Sequence, residues 1–270
     1  MQNSKAYLSG SNLSLNIYII IFLLTFNTKY LSTTKMLRLI YFYLLFFPQT
    51  IFYSFVIIFS KTQKTFHWCE RTWGKAMIKN SGCEFDVDLS ALDENQTYVF
   101  MVNHQSFFDI PLLFHFLSPW QFKFVAKKSL FKFPIFGNAM AAAKHISIDR
   151  ENSRKGMKDI QHAVDVANSG HSPLIFPEGT RNPNPNKLLP FKIGGMILAL
   201  KCQKPIAPIL MVGPEKVLYK GKLIMSPCQK IKIKALPPID TSKYSLKERE
   251  KIKEDLQDIM DKAYAEMRNE

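Results

Sequence analysis

Residues 36–59 read MLRLIYFYLLFFPQTIFYSFVIIF, an apolar block that constrains the chain more than any other stretch. A membrane-crossing helix needs about 20 such residues, so the block is long enough to span. Pro48 and Gln49 interrupt it, and a proline inside a helix removes a backbone donor and kinks the axis. Two arrangements fit: a single kinked spanning helix, or a helix pair lying partly in the membrane. In the second, another helix continues through KTQKTFHWCERTWGKAMIK, with Trp68 and Trp73 at interfacial depth. Two buried core helices of a soluble protein suit so apolar a stretch less well. A shorter block, LNIYIIIFLLTF at 15–26, falls well below the spanning length and has no small-residue cleavage site behind it. Met36 offers an alternative start, which makes residues 1–35 an N-terminal extension. Lys61, Lys64, Arg71, Lys75 and Lys79 follow the long block closely. The positive-inside rule then puts the remaining chain on the cytoplasmic face of a membrane.

The 270 residues suffice for one large domain or two small ones. A net charge of +14 points to an anionic partner: phosphate groups, nucleic acid or an anionic lipid surface. Cys69, Cys83, Cys202 and Cys228 form no CxxC pair and no zinc-like spacing. They read as reduced thiols serving as small apolar residues.

From about Cys83 short apolar runs alternate with helical periodicity. Strands are expected at Tyr98–Val102, Phe122–Ala126, Ile146–Ile148, Leu174–Phe176, Ile206–Met211 and Lys230–Lys234. Helices are expected at Ser106–Leu117, Ser153–Asn168, Gly195–Lys201 and Leu246–Met267. In the last of these, Leu256, Ile259, Met260 and Ala263 share one face. The alternation defines an α/β fold with a largely parallel central sheet flanked by helices, preceded by an N-terminal helical membrane anchor. The organisation is thus 1–35 extension, 36–79 anchor and 80–270 α/β domain. Ligands of such sheets bind outside the carboxyl ends of the strands. His104, Arg150 and Glu178 each follow such an end.

Four stretches carry candidate chemistry. In FMVNHQSFFDIP, His104 and Asp109 lie five apart, about 140° around a continuous helix at roughly 100° per residue. They meet only if His104 sits in the turn before the helix and Asp109 in its second turn. A carboxylate on one ring nitrogen would then fix the tautomer and raise the basicity of the other. Alone, the pair reads as an ordinary helix start. In IFPEGTRNP, Gly179 permits a tight turn, and the Thr180 hydroxyl and Arg181 fork suit a phosphate. HISIDR delivers Arg150 to a strand end, where a solvated arginine is the plain alternative. FKFVAKKSLFKFPIFG interleaves lysines with phenylalanines, as either a nucleic-acid patch or an interfacial membrane surface would. The apolar N-terminus favours the membrane, and no nucleic-acid partner is expected.

In this order the pieces resemble the glycerolipid acyltransferase family, specifically its 1-acylglycerol-3-phosphate acyltransferases. NHQSFFD looks like the NHx4D motif, SIDR the second motif, FPEGTR the third and KPIAPIL the fourth. The likeness runs from about Trp68 to Met211. It implies that His104 acts as general base on the 2-hydroxyl of lysophosphatidic acid, oriented by Asp109. The acceptor oxygen would attack an acyl-CoA or acyl-carrier-protein thioester directly, without an acyl-enzyme. The resemblance further implies that Arg150, Thr180 and Arg181 bind the acceptor phosphate. Glu178 and Gly179 would shape that loop, and Lys127 would assist with phosphate. It implies no metal and no cofactor beyond the thioester co-substrate. Lys144 and Ser147 stand where the family usually has a glycine and an aromatic. Lys144 there either adds phosphate affinity or marks a different headgroup.

The sequence contains no GxSxG, as a serine hydrolase would want, and no P-loop. The near alternative is a related acyltransferase acting on glycerol-3-phosphate or a lysophospholipid. The distant one is a non-catalytic binder of anionic lipid or nucleic acid.

Overall fold

The computed structural model describes residues 33–60, 62–149, 153–218, 226 and 229–269. The apolar block at 15–26 and Arg150 lie outside them. The chain divides into two units, Met1–Tyr41 and Phe42–Glu270. The described part of the first is the opening of helix α1, Thr33–Phe59, which runs through Pro48.

From Phe42 onward α1 packs beside α2, Gln63–Ser81. Thr62 starts α2 by accepting the Thr65 N–H, and Gly82 ends it in the left-handed region at φ 62°. Trp73 Nε1 donates to Thr50 Oγ1 at 2.9 Å, and the Tyr53 and Trp68 rings meet at 5.8 Å. The two helices are therefore antiparallel. Residues Ile40–Phe59 of α1 are by themselves long and apolar enough to cross a membrane. The pair's apolar outer face is exposed, including Leu44, Phe47, Phe52, Phe55 and Phe59.

The rest is a seven-stranded sheet in the order β1-β7-β6-β2-β5-β3-β4. The strands are β1 Glu84–Asp88, β2 Val99–Val102, β3 Lys123–Lys127, β4 Ile146–Ile148, β5 Pro173–Ile175, β6 Ile206–Val212 and β7 Lys230–Ala235. The β6–β7 pairing is antiparallel and the others are parallel. The flanking helices are α3 Asp109–Phe116, α4 Phe136–Ala142, α5 Ser153–Asn168, α6 Gly194–Cys202, the short α7 Pro214–Val217 and α8 Arg249–Asn269.

Side chains alternate across β2, which separates the two faces of the sheet. Val99 and Met101 join a core with Ile160, Val164 and Ala167 of α5, Met196 and Ala199 of α6, and Leu256 and Met260 of α8. Phe100 meets Trp120 and Tyr98 instead, at ring separations of 5.9 and 5.8 Å. Gly74 of α2 lets the helix approach α3 closely, since a Cβ there would lie 2.8 Å from the Pro111 carbonyl oxygen.

Two expectations need correction. The buried face of α8 is Ile252, Leu256, Met260, Tyr264 and Met267, while Ile259 is 43% exposed. Successive steps of four keep Tyr264 inward and rotate Ile259 out. The residues before α8 form a separate 3-10 turn, Leu246–Glu248, closed by a Ser245–Glu248 capping box. Cys69, Cys83 and Cys202 carry free thiols, and Cys228 lies outside the described residues.

Candidate active site

The site begins where β2 stops pairing. The Asn103 side chain continues the ladder: its amide donates to the Met211 carbonyl at 2.9 Å and accepts the Met211 N–H at 2.7 Å. Both groups are buried, so this pair fixes the exit direction of the chain. His104 follows, held through both of its backbone polar groups. Its N–H donates to Glu178 Oε1 at 2.8 Å, and its carbonyl accepts the Asn182 N–H at 2.6 Å.

The chain then turns over a buried carboxylate. Asp109 Oδ2 accepts the backbone N–H groups of Gln105 and Ser106, at 2.8 and 3.0 Å. The same oxygen lies 2.7 Å from His104 Nδ1. Asp109 is the first residue of α3 rather than part of a second turn, and it is fully buried. The intervening residues are not helical, so the 140° helical offset does not apply, and the loop folds the ring back onto the carboxylate. Oδ2 already accepts from two other donors, so the contact suits a donating Nδ1–H, and Nε2 is the ring nitrogen that the carboxylate does not engage. The imidazole stacks on Phe176 with ring centroids 3.9 Å apart and planes 16° from parallel. Its side chain keeps 17% of its surface open.

Glu178 is 1% exposed. Its second oxygen accepts the Leu189 N–H at 2.9 Å. Both oxygens are thus occupied by backbone groups of this and a neighbouring loop. Burial pushes its carboxyl up to about 7, against the lowering effect of those hydrogen bonds. Gly179 turns the chain at φ 72°, a left-handed conformation that suits glycine. Thr180 is exposed. The Arg181 guanidinium lies over the Phe107 ring, 3.6 Å from its centroid. Burial draws Arg181 below its usual value, and the Asp109 carboxylate opposes that.

His104, Asp109, Glu178 and Arg181 are therefore joined through contacts on two adjacent strand ends. Lys127 is exposed at the end of β3, two strands from β2, or about 10 Å across the sheet at 4.8 Å per strand. β4, which leads toward Arg150, pairs Ile148 with Lys127. Lys144 adopts a left-handed φ of 62°, which explains why a glycine fits this position. It precedes β4 and so lies at the opposite end of the strands from His104. Ser106 is fully buried; its hydroxyl donates to the Leu218 carbonyl and accepts the Phe108 N–H.

Sequence reasoning missed a brace from the far end of the chain. Tyr264 of α8 is 1% exposed and accepts a hydrogen bond from Gln105 Nε2. Its hydroxyl donates to the Pro185 carbonyl at 2.6 Å. Arg268, one turn on, reaches Glu215 at 3.2 Å and Asn186 at 3.3 Å. The residue beside His104 and the loop after Arg181 are thus tied to one helix. Phe176 and Asn182 lie within the quoted IFPEGTRNP stretch, and position alone could have drawn attention to them.

Comparison with known proteins agrees with the mostly parallel α/β fold. Residues 85–212 match the family model described as Acyltransferase. Among curated relatives, a 1-acyl-sn-glycerol-3-phosphate acyltransferase of Chlamydomonas reinhardtii is 38% identical over 143 residues, covering 52% of this chain and 42% of that protein. One from Helicobacter pylori is 37% identical over 124 residues, covering 46% of this chain and 52% of that protein. The chain spans about half the length of the curated relatives it matches. The crystal structure of the 1-acyl-sn-glycerophosphate acyltransferase of Thermotoga maritima shares the fold. It matches with a TM-score of 0.74 at 22% identity, over 88% of this chain and 97% of that one.

Proposed function

We propose that this protein moves a fatty acyl group from an acyl thioester to the 2-hydroxyl of lysophosphatidic acid, giving phosphatidic acid. The observation that carries the reading is the 2.7 Å contact between His104 Nδ1 and the buried Asp109 carboxylate. It leaves Nε2 as the proton acceptor on a partly open ring. Nε2 takes the hydroxyl proton as the acceptor oxygen attacks the thioester carbonyl carbon. The tetrahedral intermediate collapses, the C–S bond breaks, and the departing thiolate recovers the proton from the imidazolium. Asp109 stabilises that imidazolium. The engaged, buried Ser106 hydroxyl supports direct transfer rather than an acyl-enzyme.

Arg181, spread on Phe107, and the exposed Thr180 are the groups we assign to the acceptor phosphate, together with Lys127 and, on the sequence resemblance, Arg150. Glu178 and Gly179 shape the loop that presents them. No metal has a role in this scheme.

The helix pair is assigned to the membrane because large apolar side chains cover its outer face. An embedded hairpin fits better than a spanning one. The antiparallel pairing of Thr50 with Trp73 would otherwise carry Glu70, Arg71 and Lys75 to bilayer depth. The basic residues of α2 then sit on the cytoplasmic side with the catalytic domain.

The test is an assay of membranes bearing the protein with lysophosphatidic acid and either acyl-CoA or an acyl-carrier-protein thioester. Phosphatidic acid should form with at least one donor. No product with either, or better turnover of glycerol-3-phosphate or a lysophospholipid, overturns the acceptor assignment.

A further inference from the structure

We propose that the turn between β3 and α4 is a second membrane-contact element, which inserts its apolar side chains into an anionic leaflet. The proposal rests on the membrane-bound reading above. Outside α1 and α2, the exposed large apolar side chains among the described residues are Phe107, Leu130, Phe133, Phe136, Leu246 and Ile259. Three of these six fall within seven residues of this turn, at 37%, 58% and 42% exposure for Leu130, Phe133 and Phe136. Single exposed apolar residues need no explanation, but a cluster does.

The cluster is held in place rather than loose. Residues Lys128–Lys132 form a 3-10 turn that lies against α4. A Cβ on Gly137 would lie 2.3 Å from the Phe131 carbonyl oxygen, so glycine is required for that approach. Ile135 adopts φ 65° and ψ −64°, and the Phe136 N–H donates to the Pro134 carbonyl at 2.7 Å across it. This three-residue γ-turn is strained for any side chain and more so for a β-branched one. The fold thus maintains a strained backbone at the point where Phe133 and Phe136 face solvent. Strain of that kind points to function.

The occupant follows from charge and continuity. Lys127, Lys128 and Lys132 are exposed around the apolar tips; Lys128 also lies 3.7 Å from Asp149. Lysines interleaved with aromatics suit headgroup phosphates above an acyl layer. The other side of α4 is continuous with the helix pair. Ala139 and Ala143 pack with Ile57, Phe66 and Cys69, next to the exposed Phe55 and Phe59. The turn also follows the carboxyl end of β3, the same end of the sheet that presents His104. A second contact there would fix the tilt of the sheet over the lipid surface, with the site mouth toward its substrate.

The experiment uses the full chain in vesicles of phosphatidylcholine with phosphatidylglycerol. An environment-sensitive fluorescent amino acid replaces Phe133, Phe52 of α1, or Glu94 at the opposite end of the strands. Nitroxide-bearing lipids should quench the probe at 133 and at 52 and leave that at 94 unaffected. Quenching at 52 without quenching at 133 overturns the second contact and leaves the anchor standing. Quenching at neither overturns both. Lys128→Glu with Lys132→Glu should reduce quenching at 133 in anionic vesicles, and no reduction would exclude the charge contribution. Phe133→Ser with Phe136→Ser should lower turnover of vesicle-embedded acceptor and spare a water-soluble short-chain acceptor. Equal loss on both acceptors would count against a membrane role.

Discussion

The Glu178 carboxylate accepts the backbone N–H of His104 at 2.8 Å, across 74 residues of chain. The acid of the PEGTR loop thereby holds the main chain of the histidine. Glu178→Gln replaces one acceptor oxygen by a donor, which then faces a backbone N–H. Leaving such a buried group unsatisfied costs about 1–3 kcal/mol. We expect kcat to fall with little change in acceptor KM, and thermal stability to drop; an unchanged melting temperature would contradict the arrangement.

The same residue sets a pH dependence. Its carboxyl is raised from the ordinary 4.5 to about 7 by burial. A raised carboxyl favours the protonated folded state. Its stabilising contribution is full below about 4.5 and is lost as pH rises through about 7. Denaturant titrations across that window should show a downward slope of stability with pH that is shallower in Glu178→Gln. Identical slopes in both proteins would remove Glu178 as its source.

Asp109→Asn keeps an oxygen for the Gln105 and Ser106 N–H groups but removes the charge behind the histidine. The fold should survive, as read by circular dichroism. Turnover should fall by about 10²–10⁴, the range associated with a positioned general base. Wild-type turnover in a folded variant would refute the orienting role.

Arg181→Ala should raise the acceptor KM and leave the thioester KM unchanged. Arg181→Lys should recover little, because an ammonium neither forks to phosphate nor stacks flat on Phe107. Phe107→Ala should raise the same KM to a smaller extent. A change confined to the thioester KM would reassign this arginine to the donor.

Tyr264→Phe removes a hydroxyl that bridges Gln105 and Pro185. The buried Gln105 amide loses its partner, at about 1–3 kcal/mol, and the half-buried Pro185 carbonyl loses a donor. Stability and kcat should both decline, although the residue lies far from the motifs in sequence. Full activity with native stability would show that the brace is dispensable.

Much of this was legible in the chain. β4 at Ile146–Ile148 and α5 at Ser153–Asn168 fall on the expected residues, because apolar spacing is local. β1 was not legible. EFDVD looks like a charged loop and becomes a strand by pairing beside β7, with Glu84, Asp86 and Asp88 opposite Lys230, Lys232 and Lys234. That complementarity is non-local. α4 was hidden for a related reason, since its start depends on the strained Ile135 and on Gly137 fitting against Phe131. In the site, the spacing of His104 and Asp109 alone read as an ordinary helix start, and only the non-helical loop between them brings the two together. The partners that hold it, Glu178, Asn182 and Tyr264, reach it across the sheet and from the last helix. No window of sequence contains them together.

The central claim is that His104 removes the acceptor proton, and single-turnover acyl transfer by His104→Ala tests it most directly. With saturating lysophosphatidic acid and thioester, the account predicts product formation reduced by about 10²–10⁴, with acceptor binding retained. Transfer at the wild-type rate in that variant would contradict it.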